Sequence, residues 1–108
     1  MEVKKIGMPI PQKDEKLILV LIIGALEALQ EGALSLCEVE KIIFAPYYSR
    51  LLQEMSCSSS VLEIIDKGCE LEDIESLFPN NLEKTISELK NETIQLLQKY
   101  PEYPKKNW

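Results

Sequence analysis

The sequence has no histidine among its 108 residues. This absence excludes Ser-His-Asp and Cys-His nucleophilic systems, the usual general base near neutral pH, and every zinc motif that contains histidine. The three cysteines are scattered and cannot close a four-thiolate zinc site. The four glycines are not clustered, so no phosphate-cradling loop or dinucleotide fingerprint is present. We therefore predict that the protein is not an enzyme and has no catalytic residue, no metal ligand and no cofactor.

Basic residues are scarce in the body of the chain. Between Glu27 and Glu102, fifteen Asp and Glu residues stand against six Lys and Arg residues, and the formal net charge of the whole chain is −6. An acidic body repels phosphate backbones and attracts basic surfaces. The charge therefore predicts a basic protein as the partner and argues against nucleic acid.

The number and spacing of the cysteines indicate the cellular compartment in which the protein folds. Cys37, Cys57 and Cys69 are odd in number and contain no C-x-x-C pair. This pattern predicts free thiols, mostly buried, in a reducing cytosol, so we expect a cytoplasmic protein. A single bridge between Cys57 and Cys69 is the alternative.

Long hydrophobic runs are limited to one stretch, residues 17–29, in which only Gly24 and Glu27 interrupt eleven apolar residues. A membrane-spanning helix needs about 20 apolar residues, so this run of 13 predicts no membrane segment. A cleaved secretory signal is the closer rival, but Asp14 and Glu15 make the preceding segment acidic, which such signals avoid.

The run at residues 17–29 also decides the fold. A buried strand over 17–23 is an alternative, but the apolar run continues through good helix formers without a turn signal. We predict a helix that Asp14 caps and that continues to about Glu31, with Gly32 after its end. Because the run is apolar on every side, we expect other helices to cover it on every side.

The rest of the chain is typical of shorter amphipathic helices. Two Ser-x-x-Glu capping boxes, at Ser35 and Ser60, predict helix starts. Pro46 suits a first helical turn, whereas Gly68 and Pro79 predict helix ends. The expected helices cover residues 35–45, 47–55, 60–68, 70–77 and 80 or 81 to about 99. We therefore predict an all-α fold, a compact bundle of five or six helices around a central hydrophobic N-terminal helix. It forms one domain over residues 1–108, whose ends, 1–12 and 101–108, are extended or loosely ordered.

Acidic residues are densest within residues 63–75, where Lys67 is the one basic residue. Acids three apart on a helix could share Mg²⁺, as in all-helical nucleotide pyrophosphatases. Those enzymes place their acids on two long facing helices, whereas these crowd one short helix and its approach. A solvated or partner-facing helix start is the simpler interpretation. The candidate partner-binding acids are Glu70, Glu72, Asp73 and Glu75.

Two further candidates lie near Pro46, in F-A-P-Y-Y-S-R over residues 44–50. Aromatic residues and arginine are the types that anchor interfaces. We assign Phe44 and Tyr48 to the core and add Tyr47 and Arg50 to the candidate partner-binding residues. On the helix over 70–77 we expect the apolar side chains to face inward, and these are Leu71, Ile74, Leu77 and Phe78.

Two segments resemble a known family: S-L-C-E-V-E-K-I-I-F-A-P at 35–46 and G-C-E-L-E-D-I-E-S-L-F-P at 68–79. They are similar to short bacterial proteins described only as a domain of unknown function, and the likeness spans about 17–97. The most particular piece is E-L-E-D-I-E-S-L at 70–77. The resemblance implies a bacterial, cytoplasmic setting and supplies no catalytic residues.

These observations predict a non-catalytic, acidic protein-interaction module. Within that class, an immunity or inhibitor protein that blocks a basic toxin or enzyme fits the small size and the charge. The first alternative is a regulatory or structural adaptor that forms a homodimer through apolar helix faces. The second is a Mg²⁺-dependent hydrolase that uses the acids of residues 70–75.

Overall fold

The computed structural model describes residues 12–103, and these residues form helices joined by short turns, with no strand among them. The predicted all-α fold is confirmed. Of the ends predicted to be extended or loosely ordered, 1–12 and 101–108, residues 1–11 and 104–108 lie outside the described residues, and Gln12 belongs to the first helix. The helices are α1 (Gln12–Gln30), α2 (Leu36–Ile42), α3 (Pro46–Glu54), α4 (Ser59–Cys69), α5 (Leu71–Leu77) and α6 (Leu82–Leu97), with a 3-10 turn at Pro79–Asn81 before α6.

The core forms where α6 packs against both α1 and α4. Helices α1 and α6 are antiparallel: Glu15 near the start of α1 accepts a hydrogen bond from Tyr100 just beyond the end of α6, and Glu27 pairs with Lys90. The Phe44 ring is buried against Gly68 of α4. The buried apolar side chains are Leu19, Ile22, Ala25, Leu26, Leu36, Val39, Ile43, Phe44, Cys57, Val61, Ile64, Ile65, Leu71, Ile86 and Leu89.

Helix α1 is buried on one face only, so the expectation that it is covered on every side is wrong. Leu17 is 61% exposed, and Val20 and Leu21 are about half exposed. Among the helices of residues 12–103, α6 and α2 make the most extensive contacts with α1, and they leave these three side chains uncovered. Asp14 lies inside the first turn rather than at the cap, because α1 begins at Gln12. Within residues 12–103 no helix is both long enough and apolar enough to cross a membrane.

The helix boundaries that depend on nearby residues are as predicted. The Ser35 hydroxyl accepts a hydrogen bond from the Glu38 amide, and the Glu38 carboxylate accepts one from the Ser35 amide, which confirms this capping box. Gly32 follows α1 with a φ of 78°, a backbone conformation that favours glycine. Pro46 occupies the first turn of α3.

The predicted boundaries of α4 are wrong at both ends. The helix starts after Ser58, and no side chain caps it in the manner predicted for Ser60. Instead, the Ser58 amide donates to the carboxylate of Glu15 on α1. Gly68 does not end the helix, which continues to Cys69. Position 68 requires glycine for packing, because a Cβ atom there would overlap the Phe44 ring.

Helix α5 turns only part of its apolar stripe inward. Leu71 is buried and Ile74 partly buried, as predicted, but Leu77 is 68% exposed and Phe78 60% exposed. The prediction that these two side chains face the core is wrong. The chain leaves the helix at Phe78, whose φ of −138° is not helical, and the following 3-10 turn, Pro79–Asn81, is exposed.

Candidate functional site

The acids predicted to bind a partner are exposed on α5 and its approach. Glu72, Asp73 and Glu75 lie on α5, and Glu70 lies between α4 and α5. None of these four acids forms an ion pair within the described residues. The ion pairs there use other acids: Lys67 binds Glu92 at 2.8 Å, and Lys90 binds Glu27 at 2.6 Å. The negative charge of α5 is therefore not neutralised by a side chain of the described fold.

The structure adds Glu40 of α2 to this group. Burial raises the pKa of the Glu40 carboxyl, and the charges of Glu72, Glu75 and Asp73 raise it further. One carboxylate oxygen of Glu40, Oε2, is shielded from solvent and has no hydrogen-bond partner among residues 12–103. Two helices thus bring four like charges together, and we call Glu40, Glu72, Asp73 and Glu75 the acidic surface.

Glu70 belongs to a different neighbourhood. Its charge acts on Lys67 and on the Cys69 thiol, and it is not among the acids that raise the pKa of Glu40. It borders an open groove of about 260 Å³ between α5 and α6. A second open groove, about 440 Å³, lies between the end of α1 and the start of α6. Neither groove brings the predicted site residues together.

The acids do not converge on a metal site. In the described part of the chain, no group of three or more Cys, Asp and Glu side chains is arranged to hold a metal ion. Carboxylates that share Mg²⁺ must direct their oxygens at one point. The i,i+3 spacing of Glu72 and Glu75 does not by itself produce such a convergence, and the Mg²⁺-dependent hydrolase therefore gains no support.

Tyr47 and Arg50 are exposed on α3, as predicted, and Phe44 is in the core. The assignment of Tyr48 to the core is wrong, because Tyr48 is only partly buried and does not pack against the buried cluster. The Tyr47 ring packs edge-on against Tyr48, with 5.5 Å between ring centroids, and the Tyr48 hydroxyl donates to the Lys41 carbonyl. No hydrogen bond or ion pair between described residues joins Tyr47 or Arg50 to α5. The structure does not connect these two candidates to the acidic surface.

The cysteines are free thiols, as predicted, but only one of them is fully buried. Cys37 is exposed, Cys69 is partly buried and Cys57 is buried. Burial raises the pKa of Cys57 to about 11, with a further contribution from the charge of Glu15. Burial also raises the pKa of Cys69, whose thiol donates to the Phe44 carbonyl. Because the thiolate is the nucleophile, neither of these residues is activated for catalysis.

A buried polar cluster fastens α1 to the end of α6. The Glu15 side chain is only 7% exposed, and it accepts one hydrogen bond from the Tyr100 hydroxyl at 2.6 Å and one from the Ser58 amide at 3.1 Å. Burial and the hydrogen bond to Glu15 raise the pKa of Tyr100 to about 12. Lys16 holds the following segment, because its ammonium donates to the Pro101 carbonyl and lies over the Tyr103 ring. This cluster is part of the scaffold, since both carboxylate oxygens of Glu15 accept hydrogen bonds within it.

Sequence reasoning missed Glu40 and the exposed apolar residues. Glu40 follows Val39 in an ordinary amphipathic helix, and no local signal distinguishes it from other helical acids. Its role depends on where α5 packs. For Leu77 and Phe78, the following Pro79 was a usable signal, because a helix that ends there cannot carry its apolar stripe further into the core.

Comparison with known proteins assigns the chain to a family. Neither a curated protein nor a solved structure gives a significant match to it. A family model described as "Protein of unknown function (DUF3969)" matches residues 11–108, nearly the whole chain. The match includes both segments on which the resemblance at 35–46 and 68–79 was based, and it confirms that resemblance. The chain therefore belongs to the DUF3969 family of proteins of unknown function.

Proposed function

We propose that this protein is a non-catalytic interaction module whose acidic surface binds a basic protein. The proposal rests on the surroundings of Glu40. This acid is partly buried, its Oε2 atom has no hydrogen-bond partner among the described residues, and the charges of three other acids act on it. Like charges held together, with one shielded oxygen unpaired, destabilise a fold. Carboxyl groups with perturbed pKa values cluster at functional sites, which supports a role for this surface.

An apolar contact beside the acids supports the same proposal. Leu77 lies one turn after Asp73 on α5, and Leu77 and Phe78 are both more than half exposed. Protein interfaces commonly combine an apolar, often aromatic, centre with a charged rim. The partner that fits is a protein surface with Lys or Arg around an apolar contact. The acidic body disfavours nucleic acid for the same electrostatic reason that it attracts such a protein.

Within this class, we propose an immunity or inhibitor protein that acts in the cytoplasm on a basic toxin or enzyme. The gene beside the one that encodes this chain is the most informative observation, because an immunity protein is expected beside its toxin. A homodimeric adaptor is the second candidate, and the exposed apolar face of α1 favours it. No observation favours the Mg²⁺-dependent hydrolase.

Two matched variants test the proposal. The first neutralises the acidic surface with Glu40→Gln, Glu72→Gln, Asp73→Asn and Glu75→Gln. The second neutralises four exposed acids elsewhere, with Glu31→Gln, Glu54→Gln, Glu83→Gln and Glu88→Gln. Both variants lose four negative charges, so the comparison separates the effect of the place from which charge is removed from the effect of total charge.

Each tagged variant and the wild type are used to capture proteins from the native host at about 50 mM and about 200 mM salt. We expect a basic protein that is retained by the wild type and the control variant, lost with the acidic-surface variant, and released by the higher salt. Equal loss with both variants would mean that only total charge matters. Retention by the acidic-surface variant would place the contact elsewhere. Either result would contradict the proposal.

A further inference from the structure

The larger of the two open grooves, about 440 Å³, runs between the end of α1 and the start of α6. Its apolar lining consists of Leu29 from α1 with Leu82 and Ile86 from α6. Ile86 is buried and the two leucines are partly buried, so this lining is set into the fold. Small-molecule sites are concave, about 300–1,000 Å³ in volume, and lined mainly by apolar side chains with a few polar groups. The groove has the size and the lining of such a site.

Two carboxylates give the groove a negative charge. Glu31 follows the end of α1 and Glu83 lies in the first turn of α6, and we call them the rim acids. Both are exposed, and neither forms an ion pair within residues 12–103. The partial charges at the end of α1 and the start of α6 are opposite in sign, so they offset each other. The lining contains no basic residue, and the rim acids therefore set its charge.

The basic side chains nearby do not neutralise the rim acids. The Lys90 ammonium is bound to the carboxylate of Glu27 and to the side-chain oxygen of Gln30, each at 2.6 Å. The Gln30 amide nitrogen donates to the Ser87 hydroxyl at 2.8 Å, which ties α1 to α6 beside the groove. Lys84 is next to one rim acid in the chain but is not among the residues that line the groove. A cationic ligand therefore meets two carboxylates that no described side chain has paired.

We infer that this groove binds a small aliphatic diamine, a molecule with an ammonium group at each end of a hydrocarbon stem. Each ammonium group pairs with one rim acid, and the stem lies on Leu29, Leu82 and Ile86. Lysine side chains behave in the same way, because they bury an aliphatic stem on apolar surface and keep the charged head in water. A metal ion makes no use of the apolar lining, and an anion is repelled by the acids. Charge and lining together favour an organic dication.

The open shape of the groove predicts weak binding. A small diamine makes few contacts and stays partly solvated, so we expect a Kd of the order of 1 mM. The inference does not depend on the proposed function, because none of the four residues of the acidic surface lines the groove. Diamine binding and the capture of a basic protein can therefore fail independently of each other.

Titration of the isotope-labelled full chain with 1,4-diaminobutane, followed by NMR, tests the inference. We expect saturable shifts of the amide signals of residues 29–31 and 82–87, which border the groove. Methylamine and butylamine separate the contribution of the charge from that of the stem. Butylamine should bind at least about fivefold more tightly than methylamine, since its three further methylene groups contact the apolar lining, and the diamine should bind more tightly than either.

Two double variants that each lose two negative charges locate the contact. Glu31→Gln with Glu83→Gln should weaken binding of the diamine at least about tenfold. Glu54→Gln with Glu63→Gln removes exposed acids from α3 and α4 and should change the Kd less than about twofold. The NMR spectrum of each variant shows whether it is folded, so loss of the contact is distinguished from loss of the fold.

Four results would overturn the inference. The first is the absence of saturable shifts at the groove, and the second is equal weakening by the two double variants. The third is the same set of shifts with Mg²⁺ at equal total charge, which would mean that charge alone attracts the ligand. The fourth is equal affinity for methylamine and butylamine, which would mean that the apolar lining does not contact the stem.

Discussion

Replacing Glu40 with glutamine is expected to stabilise the protein at neutral pH. The substitution removes a charge that is partly buried and repelled by Glu72, Glu75 and Asp73. Like charges one turn apart on a helix destabilise by about 0.2–0.5 kcal/mol per pair, and we take this scale for Glu40 and the acids of α5, which lie on different helices. A buried group without a partner costs about 1–3 kcal/mol. Since the amide still leaves a polar atom at the shielded position, we expect a gain of about 1 kcal/mol. In a domain of this size that corresponds to a rise in Tm of roughly 4–8 °C.

The pH dependence of this gain tests its cause. The folded-state pKa of Glu40 is raised above the ordinary value of 4.5, so the folded protein holds this proton more tightly than the unfolded chain does. The wild type is therefore penalised at pH values above the raised pKa. The penalty shrinks as the pH falls through that pKa and is absent below 4.5, where the carboxyl is protonated in both states. The advantage of Glu40→Gln should follow the same course.

Thermal unfolding of the wild type, Glu40→Gln and Glu88→Gln from neutral to acidic pH measures this effect. Glu88 is an exposed acid in the interior of α6, with Lys84 and Glu92 one turn away on either side, and its substitution should change stability by less than about 0.5 kcal/mol. The reasoning is refuted if Glu40→Gln lowers the Tm at neutral pH. It is also refuted if its advantage persists unchanged below the pKa of a free carboxyl.

Three further predictions concern the scaffold. Tyr100→Phe removes a hydrogen bond to the buried Glu15 carboxylate, so the free energy of unfolding, measured with urea, should fall by about 1–3 kcal/mol; an unchanged value would mean that the bond contributes nothing. Gly68→Ala forces a methyl group into the Phe44 ring and should lower stability by about 1–3 kcal/mol, whereas Gly24→Ala enters open space and should raise it by up to about 1 kcal/mol; the opposite order of the two Tm values would contradict this packing. A thiol reagent followed by mass spectrometry should label Cys37 first, Cys69 more slowly and Cys57 only on unfolding, and early labelling of Cys57 would show that it is accessible in the fold.

Features set by neighbouring residues could be predicted from the sequence. The capping box at Ser35 involves residues three apart, and α3 starts at Pro46, a residue type favoured in the first helical turn. The start of α4 could not be predicted in the same way, because the carboxylate that binds the Ser58 amide comes from Glu15, 43 residues earlier. The sequence contains a capping pattern at Ser60, but no side-chain cap forms at this helix start, because Ser58 rather than Ser60 precedes the helix.

The exposed side of α1 shows a second reason why a prediction from the sequence was wrong. An apolar run indicates which side chains gain from burial, but the number of helices able to cover them depends on packing. Here α6 and α2 cover one side, and Leu17 remains exposed. The candidate site could likewise be predicted only where it depends on neighbouring residues. The acids of α5 were visible as a local charge cluster, whereas Glu40 joined them only because α2 lies within electrostatic range of α5.

The most direct test of the proposed function is the affinity of the captured basic protein for the two charge-matched variants. Isothermal titration of the purified partner would be carried out at about 50 mM and about 200 mM salt. We predict that the acidic-surface variant raises the Kd at least about tenfold while the control variant changes it less than about threefold, and that higher salt weakens binding to the wild type. Equal Kd values for the two variants would contradict the assignment of binding to Glu40, Glu72, Asp73 and Glu75.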